Sequence, residues 1–333
     1  MKNLLIVGLG SIGKRHLGVF LNSEAFDQID VCDIREDRLN EGKEVNLKGD
    51  SFFSYEEAFR SKRYHAVAIT CPPHLHKPVA TLAVENGAHL FIEKPLCISA
   101  EGWDEIASAA DQKGLVTFVA YCHRYICYSQ LVKKILDSGD LGKVIVGSMR
   151  WGSYLPDWHP WEDYRDFYMA KKEQGGGALL DESHGIDLLR YWLGCPESVS
   201  AVVAKKSSLE ITSDDVASLL IDFGKSKPVV QATFDLVTRK PRIEVELSCE
   251  NGHVFWDRMK NYVEVSRING DTNIHQFKQS DLMDMYSNQA EEFIRLTTVG
   301  SCEHDLNILS SIKTQRILDA AFLSAESGRK VMI

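Results

Sequence analysis

The run Leu4-Leu5-Ile6-Val7-Gly8-Leu9-Gly10-Ser11-Ile12-Gly13 decides the fold of this chain. Four apolar residues read as a buried strand, and Ser11–Leu21 holds no proline and ample helix formers. Strand, glycine turn and helix in that order are the context a dinucleotide-binding turn requires. Gly8 permits a tight turn, Gly10 lets backbone amides approach a pyrophosphate, and Gly13 allows close helix packing. The helix start at Ser11 and Ile12 adds unpaired N–H groups and the positive end of the helix dipole. Asp33 ends the second expected strand, 20 residues after Gly13, where a carboxylate accepts bonds from the adenosine ribose. A carboxylate there repels a 2′-phosphate and favours NAD over NADP, a preference that nearby Arg35 would blunt.

Outward from this turn, strands are expected at 3–8, 28–33, 65–70, 88–92 and 116–121, with helices at 11–22, 76–86 and 101–113. Such alternation predicts a parallel sheet with helices on both faces, assigned to a domain over 1–122. Beyond it the rhythm changes. A helix at 128–138 and a strand at 143–151 precede a polar-aromatic loop and a helix at 179–193. Strands follow at 198–205, 215–223, 228–237, 242–249, 253–257 and 261–267, and Asn251-Gly252 signals a type I′ hairpin. Arg242–Leu247 alternates cleanly, so one sheet face is wet and one buried. The chain is thus expected to be α/β, its second domain (123–333) an α+β unit with an open, mostly antiparallel sheet. The outer face would be solvated or covered by a second copy, as a homo-oligomer. Helices at 283–299 and 305–327 are expected to pack back across the domains.

The 333 residues are 44% hydrophobic and 26% charged, with a net charge of −9, which argues against nucleic-acid or membrane-surface partners. Leu4–Val7 is too short for a signal-peptide core, and no apolar stretch approaches the roughly 18 residues of a membrane span. Eight cysteines without CxxC pairs suit reduced thiols in a cytoplasmic protein. Cys122, His123 and Cys127 lack zinc-site spacing, so no metal is expected.

Two further stretches carry chemistry. Glu93-Lys94-Pro95 closes the expected strand at 88–92, at the edge where parallel sheets bind ligands. Lys94 beside a cationic nicotinamide would hydrogen-bond a substrate hydroxyl and share its proton, and Glu93 would meet the nicotinamide ribose. Downstream of Gly175-Gly176-Gly177, helical spacing places Asp181, His184 and Asp187 on one face, with His184 a proton acceptor near neutral pH. Taken singly, each stretch reads better as something ordinary: an exposed ion pair before a turn, and a capped helix whose histidine is buried.

Together with Lys14-Arg15-His16 and Thr70-Cys71-Pro72-Pro73-His74-Leu75-His76, the three stretches resemble the Gfo/Idh/MocA family of glucose–fructose oxidoreductase and inositol dehydrogenase. The resemblance covers essentially the whole chain. It implies an N-terminal Rossmann domain that binds NAD(P), and an α/β domain that supplies substrate and oligomer contacts as a dimer or tetramer. It implies catalysis by Lys94, His184 and Asp181, cofactor contacts from Cys71, Pro72 and His76, and a cis peptide before Pro95. The Asp-to-His spacing is three where the family has four, so Asp181 is as able to orient its helix as to touch substrate. Pro73 replaces the family's asparagine. The short Asp-x-Ser-His form resembles members from bacterial surface-polysaccharide and nonulosonic-acid pathways.

The loop 150–174 gathers aromatic rings that stack on sugars and cations that match carboxylates or phosphates: Tyr154, Trp158, His159, Trp161, Tyr164, Arg165 and Lys172 among them. These residues predict a pocket for a polyhydroxylated carbohydrate, neutral or anionic. The expected activity is NAD-dependent oxidation of a secondary alcohol. A keto-sugar or imine reductase and a non-catalytic NAD or sugar sensor are the rivals.

Overall fold

The computed structural model describes residues 2–45, 49–158, 160 and 162–333, so His159 and Trp161 of the expected pocket lie outside the described residues. The chain divides into two compact units. The first runs β1 (Asn3–Val7), α1 (Ser11–Asn22), β2 (Gln28–Cys32), α2 (Glu36–Val45), β3 (Ser51–Phe52), α3 (Tyr55–Ser61), β4 (Ala66–Ile69), α4 (His76–Glu85), β5 (His89–Ile92), α5 (Trp103–Gln112) and β6 (Thr117–Val119). The second continues with α6 (Cys127–Ser138), β7 (Val144–Tyr154), α7 (Ala178–Asp181), α8 (Ser183–Leu193), β8 (Ser198–Ala204), β9 (Val216–Asp222), β10 (Val229–Asp235), β11 (Val237–Cys249), β12 (Gly252–Asp257), β13 (Tyr262–Arg267), β14 (Thr272–Gln276) and α9 (Ser280–Met283). Then come α10 (Met285–Val299), α11 (Ile308–Ser327) and β15 (Val331–Met332).

In the first unit six parallel strands lie in the order β3-β2-β1-β4-β5-β6. The order reverses between β1 and β4, and a ligand crevice opens at such a switch point. β1, β4 and β5 are apolar almost throughout because helices cover both faces. Residues 286–312 belong to this unit rather than to the domain over 123–333. Phe293 of α10 packs on Phe91 with ring centroids 5.4 Å apart, and Val119 N–H donates to Leu306 O (2.7 Å). The tail thereby satisfies a donor on the edge strand that would otherwise be left exposed. Helices α2 and α3 escaped the sequence reading. α2 buries only Leu39 and Gly42, and α3 is one short run capped by Ser54, whose Oγ accepts from Glu57 N–H (3.4 Å).

The second unit holds a nine-stranded sheet, β14-β13-β12-β11-β7-β10-β9-β8-β15, antiparallel except for the β7–β10 pair. Helix α8 presses on its inner face. A Cβ at Gly185 would stand 2.5 Å from the Phe234 ring and 2.8 Å from Met149 Sδ, so glycine sets the approach. The β11–β12 hairpin closes between Cys249 and Gly252, and none of Glu250, Asn251 or Gly252 has positive φ. The turn is therefore not type I′. Gly252 is small for a different reason: a Cβ would meet Ser266 O at 2.4 Å. The helix expected over 179–193 is two helices, broken at Glu182 (φ −87°, ψ 22°). Among the described residues no helix is long and apolar enough to cross a membrane.

Candidate active site

In the first unit the candidate residues gather at the carboxyl edge of the sheet. Gly8 turns with φ +100°, and a Cβ there would stand 2.6 Å from Cys71 N. The Thr70 hydroxyl donates to Gly8 O (2.6 Å) and fastens this turn to the end of β4. A Cβ at Gly13 would stand 1.9 Å from Gly8 O, so the helix can start only on glycine. Around Gly10 there is room, the nearest atom to such a Cβ being Arg38 Nη1 at 3.9 Å. Gly10 caps α1 without a side-chain bond, and no acidic residue occupies the first turn. An open helix start with unpaired amides fits a diphosphate.

Asp33 is buried, its Oδ2 accepting from Leu9 N–H (2.7 Å) and its Oδ1 from Arg35 N–H (2.9 Å). Each oxygen keeps a second acceptor direction for a ribose hydroxyl. The Arg35 side chain turns away to Asp37, donating from Nε at 3.0 Å. The cation beside Asp33 is instead Arg38, with Nη1 3.7 Å from Oδ2. Sequence reasoning missed it because its place on polar α2 was unseen.

Pro72 leads the short turn Pro73–Leu75, and burial pushes the neighbouring Cys71 thiol up to about 12, so it is neutral. Lys94 is half-buried, and the Lys94–Pro95 peptide is cis. Glu93 is buried, with Oε1 2.6 Å from His16 Nε2 and Oε2 accepting from Lys94 N–H (3.0 Å). His76 does not reach outward as a cofactor contact would. It is 1% exposed, its ring nitrogens 2.8 Å from Cys71 O and 3.1 Å from Leu96 O.

In the second unit the helix break separates the residues expected to share a face. Asp181 ends α7, buried, where Tyr168 Oη donates to its Oδ1 (2.5 Å). Asp187 is taken by Arg124, whose Nε and Nη2 donate to its two oxygens at 2.7 and 2.6 Å, and by Thr314 Oγ1 at 3.0 Å. Asp187 is thus structural. His184 is the second residue of α8, 8% exposed, with its ring 4.3 Å from the His123 ring and stacked at 6.4 Å on Trp151.

The loop residues separate likewise. Trp158 Nε1–H donates to Ser153 Oγ (2.7 Å), and the Arg239 guanidinium lies 3.5 Å over the Tyr154 ring. Tyr164 Oη accepts from Glu210 N–H (3.1 Å), and Lys172 is exposed, its N–H donating to Thr212 Oγ1 (3.0 Å). Arg165 was expected to receive an anion. Its half-exposed guanidinium is already bracketed by Asp163 (2.7 Å) and Glu210 (2.5 Å), which neutralise it. Tyr168, at the buried acid, carried no sequence signal of its own, whereas Trp151, at the histidine, is one of the aromatic residues of the 150–174 stretch.

Parallel sheet, glycine turn and a buried carboxylate just past β2 define a Rossmann-type dinucleotide-binding fold. The chain belongs to the GFO/IDH/MocA family. Residues 2–121 match "Oxidoreductase family, NAD-binding Rossmann fold", and residues 129–255 match "GFO/IDH/MocA C-terminal domain". It is 30% identical to levoglucosan dehydrogenase of Pseudarthrobacter phenanthrenivorans over 61% of this chain and 54% of that one. To scyllo-inositol 2-dehydrogenase (NADP(+)) of Bacillus subtilis it is 25% identical, over 72% of this chain and 65% of that one. The chain therefore matches less than two thirds of the length of either relative. A solved levoglucosan dehydrogenase, in complex with NADH and levoglucosan, has the same fold, with TM-score 0.86, 20% identity, and coverage of 100% and 99%.

Proposed function

We propose that this protein is an NAD-dependent dehydrogenase acting on a secondary alcohol of a sugar, sugar derivative or cyclitol. The carrying observation is the cradle of the first unit, where an uncapped helix start and a buried Asp33 stand at the sheet edge that also bears Lys94. When bound, NAD supplies a hydride acceptor. Ser11 and Ile12 amides hold its diphosphate, and Asp33 holds the adenosine ribose and disfavours a 2′-phosphate. Lys94 donates a hydrogen bond to the reacting oxygen, and His184, seated against His123 and Trp151, accepts the hydroxyl proton. Asp181, tied to Tyr168, holds the end of α7 ahead of His184. Tyr154, Trp158 and Lys172 are the carbohydrate contacts of this reading, which places the domain boundary at Cys122/His123. Reduction of a keto-sugar uses the same groups in reverse.

NADH formation with a panel of neutral, acidic, nucleotide-linked and cyclitol sugars tests the reading. Lys94→Ala and His184→Asn should each lower kcat by about 10²–10⁴-fold. Wild-type kcat in both variants would sink it. The open face of the second sheet, with Val146, Val202 and Leu220 exposed, is the proposed contact of a homo-oligomer, which light scattering would detect.

A further inference from the structure

We propose that His16 and His76, two buried histidines outside the reacting pair, are positioning residues that clamp the Glu93–Leu96 loop and so place Lys94. The inference rests on the reading of Lys94 as the group that meets the substrate oxygen.

His16 lies on α1 with no exposure, among the rings of Phe91 (4.9 Å), Tyr286 (6.0 Å) and Phe20 (6.2 Å). Among the described residues its buried Nδ1 has no hydrogen-bond partner, and Nε2 makes its polar connection. Nε2–H donates to Glu93 Oε1 at 2.6 Å. A buried carboxylate is costly without such donors, and this one has two, the other being Lys94 N–H on Oε2 at 3.0 Å. Glu93 thus converts the position of α1 into the position of the Lys94 backbone. On the far side of the lysine, His76 at the start of α4 faces Leu96 O (3.1 Å) and Cys71 O (2.8 Å). A neutral imidazole has one N–H, so it donates to one carbonyl while its ring spaces the other. His76 therefore spans the loops that follow β4 and β5. The lysine loop is held at Glu93, one residue before Lys94, and braced by the His76 ring at Leu96, two residues after it.

The consequence is kinetic. A lysine side chain has a long arc, and holding its Cα narrows that arc to the positions useful in the reaction. Misplacement by about 1 Å costs on the order of 10²-fold in rate. If the histidines only filled space, an apolar ring of similar size would replace them without local effect.

The test compares full-length His16→Phe, His16→Gln and His76→Phe with wild type by hydrogen exchange of the apo protein, NADH affinity and kcat on the sugar turned over. In His16→Phe, exchange over 92–98 should rise roughly tenfold while the rest of the first unit is unchanged. Its kcat should fall by about 10–100-fold, with a smaller change in NADH Kd. His16→Gln retains an amide donor for Glu93 and should restore most of both. His76→Phe keeps a ring but has no donor for either carbonyl, and it should loosen 92–98 in its own right, which keeps the test alive if His16→Phe does not fold. Unchanged exchange over 92–98, a rise spread evenly over the unit, or glutamine no better than phenylalanine at 16 would each overturn the clamp. Exchange that responds as stated in a protein with no turnover on any sugar would support the clamp and remove the dehydrogenase reading instead.

Discussion

Gly8–Gly13 and Gly175–Gly177 each lead into a helix, and each contains a glycine of positive φ, Gly8 at +100° and Gly177 at +117°. The space beside them differs. At the first turn the helix start has no side-chain cap, and among the described residues only Arg38 approaches Gly10. At the second, the chain fills the space itself. Asp214 Oδ1 would lie 2.2 Å from a Cβ at Gly177, its Oδ2 accepts from Leu179 N–H (3.0 Å), and Asp214 O accepts from Ala178 N–H (2.9 Å). The Tyr168 and Met169 carbonyls crowd Gly176 at 2.3 and 2.4 Å in the same sense. One turn leaves its amides for an anion from solution, while the other has recruited an anion from its own sequence. A glycine run before a helix is therefore ambiguous until its occupant is known.

Substitutions that close the first turn or empty the second test this contrast. The largest effect belongs to Gly13→Ala. A Cβ 1.9 Å from Gly8 O forces the helix off the turn, and NADH binding by fluorescence should be lost, with stability down by about 3 kcal/mol or more. Next, Asp33→Ala removes the repulsion of a 2′-phosphate and leaves Arg38 facing it. The ratio of NAD to NADP affinity should fall by roughly 10–100-fold, and an unchanged ratio would show that Asp33 does not read the ribose. Asp214→Ala should lower stability by about 1 kcal/mol through loss of its cap and leave NADH Kd as it was. A large change in Kd would erase the distinction between the turns.

The smallest effect is on pH dependence. Burial raises the Asp214 carboxyl from 3.8 to about 6, so the folded protein holds this proton more tightly than the unfolded chain. That contribution to stability is present below about pH 4 and is lost as pH rises through about 6. Asp214→Asn cannot titrate, so wild-type Tm relative to this variant should decline between pH 4 and 6.5. A constant difference would mean that the carboxylate is not desolvated.

Much of this was legible locally. Apolar runs at β1, β4 and β5 with amphipathic stretches between them imply a parallel sheet. The spacing from Gly13 to Asp33 places the carboxylate at the end of β2, where the structure has it. The less legible parts were short or polar, as with α2 and α3, or depended on partners far along the chain. Asp187 shares the three-residue spacing of Asp181 and His184, yet its carboxylate belongs to Arg124, 63 residues away. Arg165 has the chemistry of an anion receptor, but Glu210, 45 residues away, neutralises it.

By itself, then, the sequence determined the strand–turn–helix start, the α/β class and the family, because backbone periodicity and the positions of glycine act over a few residues. Tertiary structure alone decided which charges were spent and which side chains the buried histidines hold. A hydrogen bond or ion pair depends on distances of about 3 Å that only the packed chain sets.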